Sequence, residues 1–343
     1  MKTHMKAAFF EGNGILDIRE TPVPELQRSD DMILEVEACS ICGTDVHVLS
    51  VPPGYPMEPG HVLGHELVGK VVSVGPQVKK FVVGDRVVVN PNEYCGKCRH
   101  CLENRPNHCE NIIPMGLGGE GAFAEYIRVS EWVAHKIPAD MPKNLAVFAE
   151  PLACAVNGMH KIRPNPGESA LIIGAGPIGL IFLKLFKASG VYPIIVSEPN
   201  PIRREFAKKM GADEVIDPIA QDVHATIHDW VDGGVDIAVD VVGSQMSSAI
   251  ACARRGGKVL LFGVNTGATP SVQQSDIVQK EITVYGTWLA NATFPEAVRI
   301  LASGKVALED LITHVLPLRE LEKGISYLRT GEGVEVIIDF SME

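Results

Sequence analysis

The chain has 343 residues, of which 46% are hydrophobic and 21% are charged, and its formal net charge is −11. This length suits two domains of about 100–200 residues each, and the composition is that of a folded globular protein rather than a disordered one. Because nucleic-acid binding depends on clustered Lys and Arg side chains, the acidic balance argues against a nucleic-acid partner.

Two segments bear on the cellular compartment. The N-terminal sequence MKTHMKAAFFEGNG has no apolar stretch followed by a small-residue cleavage site, so we predict no signal peptide. The most apolar segment, residues 170–196, is interrupted by glycines, lysines and prolines, and we do not expect it to span a membrane. We therefore expect a cytoplasmic protein, in whose reducing environment clustered cysteines bind metal more often than they form disulfides.

Residues 5–150 contain short alternating patterns of apolar and polar residues between Gly and Pro punctuation. Examples are MILEVEA, ELVGKVVSVG and KKFVVGDRVVVNP. Alternation with a period of two indicates strands that are buried on one face. The region is therefore predicted to form an antiparallel, barrel-like β domain.

The same region contains a mixed set of potential metal ligands, in the sequences CSICGTDVH (residues 39–47), GHE (64–66) and AEP (149–151). One sulfur, one imidazole and one or two carboxylates form a shell that can leave a coordination position open, as in catalytic zinc sites. Each fragment alone is weak evidence. Cys39 and Cys42 could form a redox pair, and His65 could be an ordinary core histidine.

Half of the chain's eight cysteines lie in the segment EYCGKCRHCLENRPNHCEN, residues 93–111. They are Cys95, Cys98, Cys101 and Cys109. Four thiolates at this spacing supply a complete tetrahedral shell for Zn²⁺, and a closed shell is structural rather than catalytic. An iron–sulfur cluster is the alternative, although its usual spacings differ from this one. His100 and His108 could replace a sulfur, but four cysteines already suffice.

From Glu168 onward the pattern changes to strands that alternate with helices. The predicted strands are ALIIGAG, PIIVSEP, EVID, VDIAVDVVG, GKVLLFGV and ITVYGTW, and PIGLIFLKLFKASG is a predicted helix. Asn200 and Pro201 are expected to cap and open a second helix, RREFAKKMG. This alternation indicates βαβ units and a parallel sheet covered by helices on both faces.

The C-terminal part of the chain is expected to return to the first domain. FPEAVRILASGKV has a helical pattern, and VEVIIDF is a predicted strand. We therefore predict one domain from residues 1–152 and 289–343, and a second, inserted domain from residues 153–288.

The glycines of GAGPIG, residues 174–179, close a predicted strand and open a predicted helix, which is the context of a dinucleotide-binding turn. A pyrophosphate would sit at the positive N-terminus of that helix. Glu198 ends the next strand, where an acid accepts hydrogen bonds from the adenosine ribose and repels a 2′-phosphate, so NAD is favoured. Arg203 and Arg204 keep NADP as the alternative. The candidate cofactor-binding residues are Gly174, Gly176, Pro177, Ile178, Gly179, Glu198, Arg203 and Val264.

In this order and combination, the motifs resemble those of the zinc-containing medium-chain dehydrogenase/reductase family. The likeness covers almost the whole chain, including VGDRVVVNP and LITHVLPLRELEKGI. It implies an α/β fold class, with a GroES-like β-barrel catalytic domain and a doubly wound Rossmann domain that binds the coenzyme. It also implies two zinc ions per chain, NAD, a small-molecule alcohol substrate, no membrane partner, and a homodimer or homotetramer.

The resemblance assigns roles to several of the residues above. It implies that Cys42 and His65 ligate a catalytic zinc ion, with Glu66 as a ligand or near neighbour and Glu150 in the position of a third ligand. Cys154, one helical turn after Glu150, is the rival ligand. Cys39 and Cys252 are expected to be core residues.

The family likeness also suggests a path for the proton released from the substrate. Thr44 would pass it to a ribose hydroxyl of the cofactor, and His47 would pass it to water, since an imidazole can both accept and release a proton. Alternatively, His47 is only a solvated loop histidine.

The implied activity is hydride transfer from a secondary alcohol to NAD, with a sorbitol-like or threonine-like substrate. Threonine dehydrogenases typically carry an Arg just after the Gly that matches the one in VYGTW, and this chain has GTWLANATFPEAV there. We therefore expect a sugar alcohol or its phosphate, with L-threonine as the alternative. The loop VLSVPPGYPMEPGHVLGHE departs from the usual sorbitol dehydrogenase version. An inactive zinc- and nucleotide-binding protein is the alternative from a different class.

Overall fold

The structure, a computed structural model, describes residues 2–342. Its strands are β1 (His4–Gly12), β2 (Ile15–Pro22), β3 (Asp31–Ser40), β4 (His61–Val62), β5 (Glu66–Val74), β6 (Arg86–Val89), β7 (Asn92–Glu93), β8 (Ile113–Pro114), β9 (Tyr126–Ser130), β10 (Ala134–Lys136), β11 (Ala170–Ile173), β12 (Ile194–Ser197), β13 (Glu214–Ile216), β14 (Val235–Asp240), β15 (Ala253–Leu261), β16 (Thr283–Gly286), β17 (Ile312–Leu316) and β18 (Glu335–Asp339).

The helices are α1 (Gly43–Val48), α2 (Arg99–Leu102), α3 (Lys143–Ala146), α4 (Ala149–Ile162), α5 (Pro177–Ala188), α6 (Pro201–Met210), α7 (Val223–Trp230), α8 (Met246–Cys252), α9 (Gln274–Lys280), α10 (Phe294–Ala302) and α11 (Leu321–Thr330). Short 3₁₀ segments cover Pro106–His108, Glu309–Leu311, Leu318–Glu320 and Phe340–Met342. Among the described residues, no helix combines the length and the apolar character needed to cross a membrane.

The chain divides into two compact units. The first comprises the chain up to Ala153, Ala290–Ser303 and the chain from Ile312 onward, and the second comprises Cys154–Leu289 and Gly304–Leu311. By contacts, Gly304–Leu311 lies with the second unit, where Lys184 Nζ is 2.8 Å from Asp310 Oδ2. The sequence analysis placed that segment with the first domain, and its domain limits stay a prediction.

A seven-stranded sheet dominates the first unit. Its order is β10-β6-β5-β3-β18-β17, and β9 also pairs with β3. The patterns MILEVEA, ELVGKVVSVG and DRVVVNP form β3, β5 and β6, whose pairs are antiparallel as predicted, whereas β17 and β18 pair in parallel. Because β3 is flanked by β5, β9 and β18, it is buried along most of its length. This central strand leads directly into α1 and so fixes the residues that follow it.

Smaller sheets complete the first unit. One has the order β2-β1-β4, and β7 and β8 form a two-stranded sheet on either side of the cysteine-rich segment. The apolar core includes Phe10, Met32, Leu34, Leu63 and Phe123, all buried.

The second unit is built on a parallel sheet of six strands in the order β13-β12-β11-β14-β15-β16. This is the doubly wound order, in which strand order reverses on either side of the first strand. Its core includes Leu171, Ile195, Ala238 and Val259, all fully buried, as expected for a sheet covered on both faces. The predicted α/β fold class is confirmed.

Candidate functional site

Helix α1 fixes the position of Cys42. Cys42 is the N-cap of α1, and Asp45 completes a capping box: its Oδ2 atom accepts a hydrogen bond of 2.9 Å from the Cys42 backbone N–H. A capping box satisfies backbone donors that a helix start would otherwise leave unpaired. The thiol is therefore held at the end of the buried strand β3.

His65 and Glu66 are brought to the same place by the start of β5. Ser40 of β3 pairs with Glu66 of β5, so the end of one strand meets the beginning of the other. Gly64 has φ +92°, and a Cβ atom there would lie 2.9 Å from the Phe123 backbone nitrogen, so only glycine fits. Ligand atoms of Cys42, His65 and Glu66 all lie within 4.8 Å of one another.

Glu150 lies in the first turn of α4 and is buried. Its charge acts on both Cys42 and His65, so it faces the same pocket, although the mutually close group consists of the other three residues. We call Cys42, His65, Glu66 and Glu150 the mixed-ligand site. Cys154, one turn further along α4, is also buried.

Negative charge accumulates in the mixed-ligand site. Burial raises the pKa of the Cys42 thiol, and the carboxylates of Glu66, Asp45 and Glu150 raise it further. Burial lowers the pKa of His65, but the charges of the same three carboxylates outweigh burial and raise it. A divalent cation would neutralise this cluster and deprotonate the thiol. The donor set of one sulfur, one imidazole and carboxylate oxygens therefore fits a zinc ion.

Asp45 is a site residue to which the sequence analysis gave no role. Its Oδ1 atom is 3.8 Å from Nδ1 of His65, and within residues 2–342 neither of these buried atoms has a hydrogen-bond partner. Histidines that bind metal usually direct their second ring nitrogen at a carboxylate or a carbonyl. The position of Asp45 inside CGTDVH was a signal that could have found it.

Ser40 and Glu335 are two further residues of the site to which the sequence analysis gave no role. The Ser40 hydroxyl donates a hydrogen bond to Glu66 Oε2, and Ser40 also acts on the buried carboxyl of Glu335, whose pKa it lowers. Glu335 is 2% exposed, and burial, together with the charge of Glu66, holds its pKa well above its usual value. A protonated Glu335 can donate to Ser40, which in turn donates to Glu66. Because Glu335 belongs to no motif in the largely apolar segment VEVIIDF, nothing in the sequence pointed to it.

Thr44 and His47 follow Cys42 on α1. Cys42 Sγ is 3.6 Å from Thr44 Oγ1, which is half-buried, and His47 is exposed one turn later. A hydroxyl beside the mixed-ligand site and an imidazole at the surface are arranged in the order that a proton relay requires. Their roles stay a prediction.

The sulfurs of Cys95, Cys98, Cys101 and Cys109, which we call the four-cysteine site, lie within 4.8 Å of one another, and all four cysteines are free thiols. The sulfur of Cys98 is 3.5 Å from that of Cys101 and 4.0 Å from that of Cys109. Sulfurs bound tetrahedrally to zinc at about 2.3 Å are about 3.8 Å apart, so the spacing fits a closed zinc shell.

Backbone N–H groups surround these sulfurs. Those of Cys95 and Asn111 point at the sulfur of Cys109, and that of Cys98 points at the sulfur of Cys95, each at 3.3 Å. Hydrogen bonds from the backbone of Lys97 and Cys98 lower the pKa of Cys95 to about 6. Backbone hydrogen bonds thus favour the thiolate at Cys95, which is the form that binds metal, whereas burial raises the pKa of Cys101 to about 12. His100 and His108 stand outside this set of four close ligands.

The glycine-rich turn of the second unit joins β11 to α5. Gly174 has φ +105°, and a Cβ atom on Gly179 would lie 2.0 Å from the Gly174 carbonyl oxygen, so the turn requires both glycines. Gly176 is the N-cap of α5, and Pro177 opens the helix. Helix N-termini of this kind attract phosphate groups. Ile178, in the first turn of α5, is half-buried, whereas Val264 is 55% exposed.

Glu198 is buried beside this turn. Its Oε2 atom accepts a hydrogen bond of 2.7 Å from Ala175 N–H, and Oε1 accepts one of 2.8 Å from Asn200 N–H. Arg204 forms an ion pair of 2.9 Å with Asp217. Arg203, half-buried in the first turn of α6, is the other basic residue singled out from the sequence.

Both units match known protein families. Residues 28–139 match the alcohol dehydrogenase GroES-like domain, and residues 177–303 match the zinc-binding dehydrogenase domain. The L-threonine 3-dehydrogenase of Pyrococcus abyssi is 37% identical over 315 residues, which is 90% of each chain. The sorbitol dehydrogenase of Bacillus subtilis is 34% identical over 325 residues, covering 93% of this chain and 92% of the relative.

A solved structure gives the same result for the fold. The crystal structure of a zinc-binding dehydrogenase from Sinorhizobium meliloti 1021 bound to NADP superposes with a TM-score of 0.93 at 32% identity. It covers 98% of this chain and 100% of its own. The GroES-like and Rossmann domains predicted from the sequence are confirmed, and the chain belongs to the zinc-containing medium-chain dehydrogenase/reductase family.

Proposed function

We propose that this chain is a zinc- and NAD-dependent dehydrogenase that oxidises a secondary alcohol of the sugar-alcohol class, or its phosphate. The observation that carries the proposal is the mixed-ligand site, where Cys42, His65 and Glu66 converge in a buried, acidic pocket. With Glu150, these residues would hold the catalytic zinc. The four-cysteine site would hold a second, structural zinc ion.

The chemistry is divided between the bound groups and the protein. When bound, zinc supplies a Lewis acid for the substrate hydroxyl, and NAD supplies the hydride acceptor. Asp45 orients the His65 ring, and Ser40 fixes the carboxylate of Glu66. We propose that Thr44 and His47 carry the released proton towards water, since His47 is exposed and an imidazole can both accept and release a proton.

The preference for NAD rests on Glu198. A carboxylate at the end of the second strand suits ribose hydroxyls and repels a 2′-phosphate. Arg204 is paired with Asp217, and Arg203 and Arg204 together keep NADP as the alternative. Since the Sinorhizobium relative holds NADP, both cofactors belong in the assay.

L-Threonine is the second candidate substrate, because the Pyrococcus relative is a threonine dehydrogenase and is 37% identical. The sugar-alcohol proposal is supported by GTWLANA, which lacks the Arg expected beside an amino-acid carboxylate. Assembly as a homodimer or homotetramer and a cytoplasmic location are proposed on family likeness alone.

A substrate panel tests the proposal. Zinc-loaded protein is assayed with sugar alcohols, their phosphates and L-threonine, each with NAD and with NADP. We expect sugar alcohols with NAD to be turned over, and Cys42→Ser to lower turnover by about a thousandfold or more, because several kcal/mol of Lewis-acid stabilisation are lost.

Cys252→Ser, a change at a buried cysteine in the core of the second unit, is the control and should retain activity. Activity with L-threonine alone would reverse the choice of substrate. Unchanged turnover in Cys42→Ser would contradict the metal-dependent mechanism itself.

A further inference from the structure

Helix α7 carries a pair of histidines that the dehydrogenase chemistry does not use. His224 and His228 are four residues apart, so they project from the same face of the helix. Their rings are 4.4 Å apart between centroids, and the two Nε2 atoms are 3.1 Å apart. Both residues are exposed.

The distance between the two nitrogens matches that of two ligands on one metal ion. Zinc–imidazole bonds are about 2.0–2.1 Å long, so nitrogens that subtend an angle of about 90–109° at the ion lie about 2.9–3.3 Å apart. The observed 3.1 Å falls within this range. Without an ion, a single N–H can join the two nitrogens. An ion can replace that proton when both rings turn their Nε2 lone pairs towards it.

The surroundings of His224 favour its neutral imidazole, which is the form that binds metal. Burial lowers the pKa of His224, and so do the charges of His228 and Lys280, while Asp222 acts in the opposite direction. Lys280 donates hydrogen bonds to the carbonyls at the end of α8, including that of Ala251 at 3.0 Å. The Asp222 carboxylate caps α7 by accepting from the backbone of His224 at 2.9 Å. One carboxylate and one ammonium group thus act on the pKa of His224 in opposite directions.

We propose that His224 and His228 form a third metal site, a bidentate surface chelate for a divalent transition-metal ion such as Zn²⁺, Ni²⁺ or Cu²⁺. Imidazole ligands suit these ions, whereas Mg²⁺ and Ca²⁺ prefer oxygen. Two protein ligands leave the remaining coordination positions to water, so the ion exchanges readily. The site lies wholly within the second unit and depends on neither the mixed-ligand nor the four-cysteine site.

Titration of the zinc-loaded protein with Ni²⁺ tests the proposal, with bound nickel and retained zinc measured together. We expect one nickel ion per chain to bind without release of zinc. His224→Ala and His228→Ala should each weaken nickel binding by about a hundredfold, because the advantage of two linked ligands is lost. His4→Ala, a change at an exposed histidine in β1, is the matched control and should bind nickel like the wild type.

The histidine substitutions are on the surface, and thermal unfolding without nickel checks that the variants fold. Nickel should raise the unfolding temperature of the wild type and of His4→Ala only, since a ligand that binds the folded state stabilises it. Nickel binding that is equal in the wild type and in both helix variants would overturn the proposal. So would nickel that binds only as zinc leaves.

Discussion

The four-cysteine site takes all its ligands from one short stretch of chain, whereas the mixed-ligand site takes them from the end of β3, the start of β5 and the first turn of α4. Around Cys95, backbone N–H groups lower the pKa of the thiol to about 6. Around Cys42, burial and three carboxylates raise the pKa of the thiol. The backbone of the first site thus favours the thiolate of Cys95, while the second site collects buried acidic groups whose raised pKa values favour their protonated forms when no cation is bound.

The largest effect should come from breaking the four-cysteine site. In Cys101→Ser, we expect the structural zinc to be lost and the free energy of unfolding to fall by several kcal/mol, because metal binding here is coupled to folding. Zinc analysis and thermal unfolding measure both quantities. Cys42→Ser is the matched comparison: it should also lose one zinc ion, but it should unfold close to the wild-type temperature. If both variants were destabilised equally, the distinction between a structural and a catalytic site would fail.

A smaller effect is expected from Asp45→Asn. The amide weakens the interaction with His65 Nδ1 and changes the charge next to Cys42, and such changes typically cost about 10–100-fold in metal affinity. Dialysis against a graded chelator, followed by zinc analysis, should show one zinc ion leaving earlier and the other unchanged.

Asp85→Asn, which alters a surface ion pair with Lys136 in the same unit, is the control for Asp45→Asn and should retain both zinc ions like the wild type. Loss of both ions together in Asp45→Asn would show that the two sites are not independent.

The smallest effect is expected from Glu335→Gln. A protonated Glu335 and a glutamine both offer a hydrogen-bond donor to Ser40, so stability near pH 5 should change by about 1 kcal/mol or less. The raised pKa means that the folded state keeps a proton that the unfolded state releases above its ordinary value of 4.5. Stability of the wild type should therefore fall relative to Glu335→Gln as the pH rises from there.

Denaturant unfolding of Glu335→Gln and the wild type at several pH values measures this difference. Parallel pH profiles would contradict a protonated Glu335. Glu335→Ala, which removes the donor altogether and leaves a cavity, should be less stable than both near pH 5.

Local patterns were sufficient for much of the fold. The alternation in MILEVEA gave β3, and the capping residues Asn200 and Pro201 open α6, where the Asn200 side chain accepts from the backbone of Ile202 and Arg203. The predicted starting residue was less accurate for strand β15. It starts at Ala253, before the predicted GKVLLFGV, because the pairing with β14 skips residues between Ala253 and Lys258. Such an irregularity has no signature in hydrophobic periodicity.

The two sites also differ in how far they could be predicted, because one forms from neighbouring residues and the other depends on strand pairing. The spacing of four cysteines was enough to foresee their convergence, since a closed shell forms within one loop. The contribution of Glu335 could not be foreseen, because it depends on β18 pairing next to β3, where Ile337 lies opposite Ser40. A buried acid on an apolar strand is recognisable only once the strands are aligned.

The pairing of β3 with β18 also bears on synthesis. These strands are separated by almost the whole length of the chain, whereas the four cysteines are adjacent in sequence. On the ribosome, the cysteine segment can emerge and take up its ion while much of the polypeptide is still untranslated. The contact of Glu335 with the second pocket forms only after β18 has left the exit tunnel, so the four-cysteine segment can be complete earlier in synthesis than the mixed-ligand site with its supporting residues.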